Sequence, residues 1–210
     1  MLSPTSIIIG LFSIAFALMI HEFAHAYMAY QLGDPTAKYE GRLTLNPVVH
    51  FDVIGFICLA STYLMSGGHL IMGWAKPVPI NSDNFKQYRL DTALVAAAGP
   101  FINLFAAFLL SLTVLTGLLV NTPLFPVITT MIVANVGFAI FNLLPWPPLD
   151  GWKILGAMVG KSAFDQMREF EHKMGIWALV VLLVIVYLFG GYFLYPANAA
   201  VLKIFLGGLQ

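Results

Sequence analysis

The chain has 210 residues, with ten Lys and Arg balanced by ten Asp and Glu. Hydrophobic residues make up 60% and charged residues 10%, and mean hydropathy is +0.86, which excludes an ordinary soluble domain and points to a multi-span membrane protein. The zero net charge and lack of a Lys/Arg-rich run give no sign of nucleic-acid binding, and a single cysteine, Cys58, excludes an intrachain disulfide or a cysteine-based metal site.

The start, MLSPTSIIIGLFSIAFALMI, lacks the basic leader and small-residue cleavage site of a secretory signal, so it is read as a retained first span from about Ser6 to Gln31. That span runs directly into HEFAH. His21 and His25 are four apart and share one helix face, where two neutral imidazoles can hold a zinc ion. Glu22 projects about 100° around the same turn and can reach a metal-bound water without being a ligand. Ionisable groups in a membrane helix are costly and usually functional. The plainer alternative has both histidines bonded to neighbouring carbonyls and Glu22 turned to water.

Gly33-Asp34-Pro35 ends the span. The polar stretch TAKYEGRLTLNPVVHFD alternates enough for a short strand or hairpin. Val53 to Met65 is apolar but short for a crossing, and HLIMGWAKPVPINSDNFKQYRLD then turns from amphiphilic to polar. Thr92 to Val120 is the next span, interrupted near its start by Gly99-Pro100, and Asn121-Thr122-Pro123 makes a turn. Val127 to Leu144 spans again and enters FNLLPWPPLDGWKILGAMVG, whose prolines cannot continue a regular helix. Such backbone at membrane depth is tolerated only against protein or a wet cavity. Lys161 to Lys173 reads as a charged surface helix and Gly175 to Tyr192 as a span; the tail ANAAVLKIFLGGLQ lies along the interface or begins another pass. The expectation is one integral-membrane domain over 1–210, with a core at 6–160 and C-terminal helices at 161–210. It is an all-α bundle of five or six transmembrane helices, with room for a short membrane-associated β-hairpin or re-entrant segment.

Segments 32–52, 76–91 and 153–173 hold every Lys and Arg except Lys203. The positive-inside rule puts all three on the cytoplasmic side. Val53 to Met65 then has positive segments at both ends, so it must re-enter or pair with His69 to Ile80 as a hairpin.

A catalytic zinc usually has three protein ligands. The candidates for the third are His50, His69, Asp52, Asp91, Asp150 and the carboxylates around Asp165. Asp150 is favoured because it follows a proline-broken segment at the depth of the histidines, where a carboxylate needs a partner such as a divalent cation. Its alternative role is a helix N-cap. His50 and His69 read as interfacial residues bonded to backbone or water.

The chain resembles the site-2 protease family of intramembrane zinc metalloproteases. HEFAH fits H-E-x-x-H, FNLLPWPPLDG fits N-x-x-P-x-P-x-L-D-G, and AAAGPFIN fits A-G-P-x-x-N. GRLTLNPVVHFD and GWAKPVPIN look like segments of compact members without a PDZ domain, and the resemblance runs from Ser6 to about Gly160. It implies one zinc per chain on His21, His25 and Asp150, with Glu22 activating the water. It also implies that Asn142 lies near the scissile peptide and Asn103 packs beside the site, although interhelical hydrogen bonding is the alternative for both and the preferred one for Asn103. Gly99 reads as a close helix–helix contact.

The function implied is hydrolysis of peptide bonds within or near transmembrane segments of a membrane-protein substrate, in the multi-pass cell membrane of a prokaryote, with the site toward the cytoplasm. The substrate must be locally unwound, and Gly41 to Val48 or GWAKPVPI could pair with it by strand addition. The rival readings are a membrane zinc-binding or transport protein, for which the spans after Leu104 offer few polar residues, and an inert scaffold, which would lack a ligand or the glutamate.

Overall fold

Ser3 starts the first helix. Its Oγ accepts the Ser6 N–H at 3.1 Å, and Pro4 fills the first helical position, where no N–H is needed. The structure, a computed structural model, describes residues 3–65 and 73–207. Within them the helices are α1 (Pro4–Gln31), α2 (Thr36–Tyr39), α3 (Pro47–His50), α4 (Val53–Met65), α5 (Tyr88–Leu115), α6 (Leu124–Asn142), α7 (Asp150–Met158), α8 (Lys161–Met174) and α9 (Ile176–Leu206), with a 3-10 turn at Ser82–Asn84. Helices α1, α5, α6 and α9 are long and apolar enough to cross a membrane. The expectation was five or six. Helix α4 has only 13 residues, about 20 Å against a hydrocarbon core of about 30 Å.

Helices α1, α5 and α6 pack on one another, and α7 packs on α5. Buried small residues on these helices, among them Ala17, Ala98 and Ala139, let backbones approach where lipid removes the hydrophobic drive for association. Helix α5 differs from the expected interrupted span: it carries the buried Pro100 inside a continuous helix. Helix α9 likewise continues through Pro196, so the tail is neither an interfacial segment nor a new pass. Its Leu202 and Leu206 close an apolar cluster with Val114 of α5 and Ile132 and Val136 of α6. The charged α8 is anchored by Phe164, which meets the Tyr88 ring edge-on, and by Arg168, which donates to the Tyr88 hydroxyl at 2.8 Å.

No strand occurs among the described residues. Helix α4 runs back along α1: the Tyr63 hydroxyl lies 3.4 Å from the Ser6 carbonyl. The arm from Gly73 to Ile80 is extended and returns beside α4, with the Trp74 carbonyl against Gly55 and Gly73 against Leu59. A Cβ on either glycine would collide with the other arm. The two arms form a helix-and-extended-chain hairpin in place of a β-ladder.

Asp34 ties this arm to the end of α1. It is fully buried, and its carboxylate accepts from the Thr36 N–H and hydroxyl, the Asn81 N–H at 2.7 Å and the Asn84 amide at 2.8 Å. Burial opposes the charged form, but these donors outweigh it and hold the carboxyl below its ordinary range. Its stabilisation is therefore complete above the unfolded-state value and is lost as pH falls through the lower folded value. Asp34→Ala is expected to destabilise the protein by about 2–4 kcal/mol at neutral pH. Thermal unfolding in detergent checks this, and the difference from wild type should shrink on acidification below about pH 4.

Candidate metal centre

His21 and His25 project from one face of α1, and Asp150 is brought to them by the broken chain between α6 and α7. Trp146 pins that connection by donating its indole N–H to the Ala178 carbonyl at 2.9 Å. Gly151 lets α7 start against the end of α6, because a Cβ there would strike the carbonyls of Leu143 and Leu144. Asp150 is not an N-cap: Leu149 holds that position, and Asp150 is the first helical residue. Its Oδ2 stands 3.1 Å from His21 Nε2 and 3.3 Å from His25 Nε2. All three residues are buried and offer their ligand atoms within 4.8 Å of one another.

The outer nitrogens decide what the inner ones can do. His21 Nδ1 lies 2.7 Å from Asn103 Oδ1, and His25 Nδ1 lies 2.7 Å from the Val95 carbonyl. The Asn103 orientation is set independently, because its Nδ2 donates to the Ala17 carbonyl at 3.0 Å and to Asn135 Oδ1 at 2.8 Å. Both imidazoles therefore carry their proton on Nδ1 and turn a lone pair inward from Nε2. Asp150 Oδ2 is buried and receives no hydrogen bond. Three acceptors converge with no proton among them, and the two spacings from Asp150 are close to the edge of about 3.4 Å in a tetrahedral zinc shell with bonds near 2.0–2.1 Å. The donor set fits zinc.

Gly99 of α5 lies directly under the pair. A Cβ there would sit 2.5 Å from His21 Cε1 and 2.6 Å from both Nε2 atoms. The close contact expected of Gly99 is thus with the two imidazoles. Asn103, expected mainly to join helices, joins them and also orients His21. Asn135, fully buried on α6, was not singled out in the sequence; its place seven residues before Asn142 on a span was the available signal.

Glu22 is partly buried, and its Oε2 accepts the Val78 N–H at 3.1 Å. Asn142, at the end of α6, donates to the Phe138 carbonyl at 2.9 Å. His50 is remote from the cluster in bonding: its Nε2 pairs with the Thr44 carbonyl at 2.8 Å. Among the described residues, Asp52 accepts the Gly55 N–H and Asp91 the Gln87 N–H, so neither is a third ligand. His69 lies outside the described residues.

Gly99→Ala is expected to weaken zinc binding by about tenfold or more, and Asn103→Ala by about 10–100-fold, through displaced imidazoles. Competition with a chromogenic chelator measures both.

Residues 117–188 match the model of peptidase family M50. A protein of Bacillus subtilis named as a zinc metalloprotease, YwhC, is 40% identical over 198 residues, covering 89% of this chain and 85% of that protein. Rip2 of Mycobacterium tuberculosis, also named as a zinc metalloprotease, is 33% identical over 150 residues, 66% of this chain and 52% of its own length. Its namesake in Mycolicibacterium smegmatis is 31% identical over 140 residues with the same coverage, so the chain spans about half the length of the mycobacterial relatives. No solved structure matches it. With a buried His-His-Asp cluster in a bundle of apolar helices and a relative this similar over most of its length, the chain belongs to peptidase family M50, the site-2 protease family of zinc metalloproteases.

Proposed function

We propose that this protein cleaves peptide bonds within or near transmembrane segments of other membrane proteins, with zinc held by His21, His25 and Asp150 and with Glu22 as general base. The observation that carries the reading is the convergence of three inward acceptors beside a glutamate on the same turn of α1. Bound zinc supplies Lewis acidity for the attacking water and the scissile carbonyl. Glu22 takes the proton as the water oxygen bonds to the carbonyl carbon, then returns it to the amide nitrogen as the C–N bond breaks. The Nδ1 bonds to Asn103 and Val95 hold both imidazoles turned with Nε2 inward.

The peptide must arrive unwound, because helical carbonyls are tied up in hydrogen bonds. Asn142 supports an extended arrangement: its amide nitrogen is spent on Phe138, and its oxygen takes no donor among the described residues, so it can receive a substrate N–H. The Lys/Arg pattern supports a site on the cytoplasmic side. The bacterial relatives support a prokaryotic membrane as the location, with the lipid bilayer and a transmembrane protein substrate as the partners.

Glu22→Gln is expected to lower cleavage of a tagged single-span substrate by about 10²–10⁴-fold while one zinc per chain is retained. Asp150→Ala should lose the zinc itself. Substantial activity in the Glu22→Gln protein contradicts the mechanism.

A further inference from the structure

Arg42 is an expensive residue where it stands. It is 6% exposed, and among the described residues no carboxylate pairs with it. Its Nε is buried without a partner, and its charge rests on two main-chain carbonyls, Lys76 at 2.5 Å and Pro77 at 3.4 Å. A guanidinium buried this way costs several kcal/mol by the usual accounting, so the arm it grips must be worth fixing.

The arm is fixed from several sides. The Lys76 N–H donates to the His50 carbonyl at 2.9 Å, and the Val78 side chain is buried in a small cluster with Ala26 of α1 and Ala37 of α2. Pro77 and Pro79 have no N–H. Val78 therefore presents the one backbone donor between Lys76 and Ile80, and it is spent on Glu22 Oε2 at 3.1 Å.

We propose that Arg42, by clamping the Lys76 and Pro77 carbonyls, aims the Val78 N–H at Glu22 and so holds the catalytic carboxylate in its working orientation. Arg42 and Val78 are positioning residues. The inference rests on Glu22 being the general base. The Lys76 N–H, the Lys76 and Pro77 carbonyls and the Val78 N–H are thereby committed within the protein.

The test uses purified full-length protein and one tagged single-span substrate that wild type cleaves. Val78→Pro removes the donor, whereas Val78→Ala removes packing and keeps the N–H. Val78→Pro and Arg42→Ala are expected to lower kcat by about 10–100-fold with KM and zinc content unchanged. Val78→Ala should stay close to wild type, and Arg42→Lys should recover part of the loss. A second measurement needs no substrate: in zinc-free protein, the thermal shifts of Glu22→Ala and Val78→Pro should be less than additive in the double variant. Wild-type kcat in Val78→Pro, a rise in KM alone, loss of zinc with activity, or additive thermal shifts each overturn the proposal. Glu22→Gln run in parallel separates the two failures. If it is inactive while Val78→Pro is not, only the positioning role falls; if it is active, the general-base reading falls first.

Discussion

Three lone pairs meeting in a buried space, with every available proton turned outward, is the constraint the rest of the chain answers to. A carboxylate and two imidazole nitrogens at 3.1 and 3.3 Å repel one another where water is scarce, and only a cation offsets that cost. Holding them together requires two helices far apart in the sequence, α1 and α7. Helix α1 supplies a rigid pair at one-turn spacing, and α7 starts at Asp150 only because Trp146 and Gly151 let the chain fold back tightly. Helix α5 then closes the underside, with Gly99 giving the imidazoles room and Val95 and Asn103 setting their tautomers.

Asn103 shows how little slack this leaves. Its oxygen faces His21 and its nitrogen serves both Ala17 on α1 and Asn135 on α6, while Asn135 donates onward to the Met131 carbonyl at 2.8 Å. One fully buried side chain thereby fixes the register of three helices. A slide of α5 by one residue would strand polar groups on all three, and such groups have no water to turn to. The bundle is small-residue packing made specific by one polar network, and that network ends on His21 of the candidate metal centre.

The convergence of His21, His25 and Asp150 was legible because its chemistry is written in side chains at fixed spacing. His21 and His25 define a face without any knowledge of neighbours, and Asp150 is conspicuous as a carboxylate amid proline-broken apolar chain. The partners that finish the site were harder to read. Val95 contributes a carbonyl, which every residue has, and Gly99 matters for the atoms it lacks. Asn135 resembles any helix-joining asparagine until Asn103 is seen against it. Helix α9 was read as ending near Tyr192 because Gly190, Gly191 and Pro196 signal a break locally; packing of Leu202 and Leu206 on α5 and α6 overrides that signal. Helix α4 is shorter than the four candidate spans, as the short apolar run suggested, but alternation in 41–48 and the apolar 53–65 run carry no record of which segment is helical.

The extended arm bears on how a membrane enzyme can bind an unwound peptide. Strand addition needs a row of unspent donors and acceptors. Here two prolines delete N–H groups, His50 takes the Lys76 donor, Arg42 takes two carbonyls, and Glu22 takes the remaining donor. A peptide pairing on this flank would find these four groups of 76–78 already taken. On the proposed function, its unwound carbonyl is held at the reacting centre, while the Asn142 oxygen takes a peptide N–H. Those contacts form only where the chain is already open, so they favour segments that unwind cheaply and reject intact helices. On the proposed function, selectivity of that kind would reside in the substrate's own helical stability, with no need of a sequence-reading pocket.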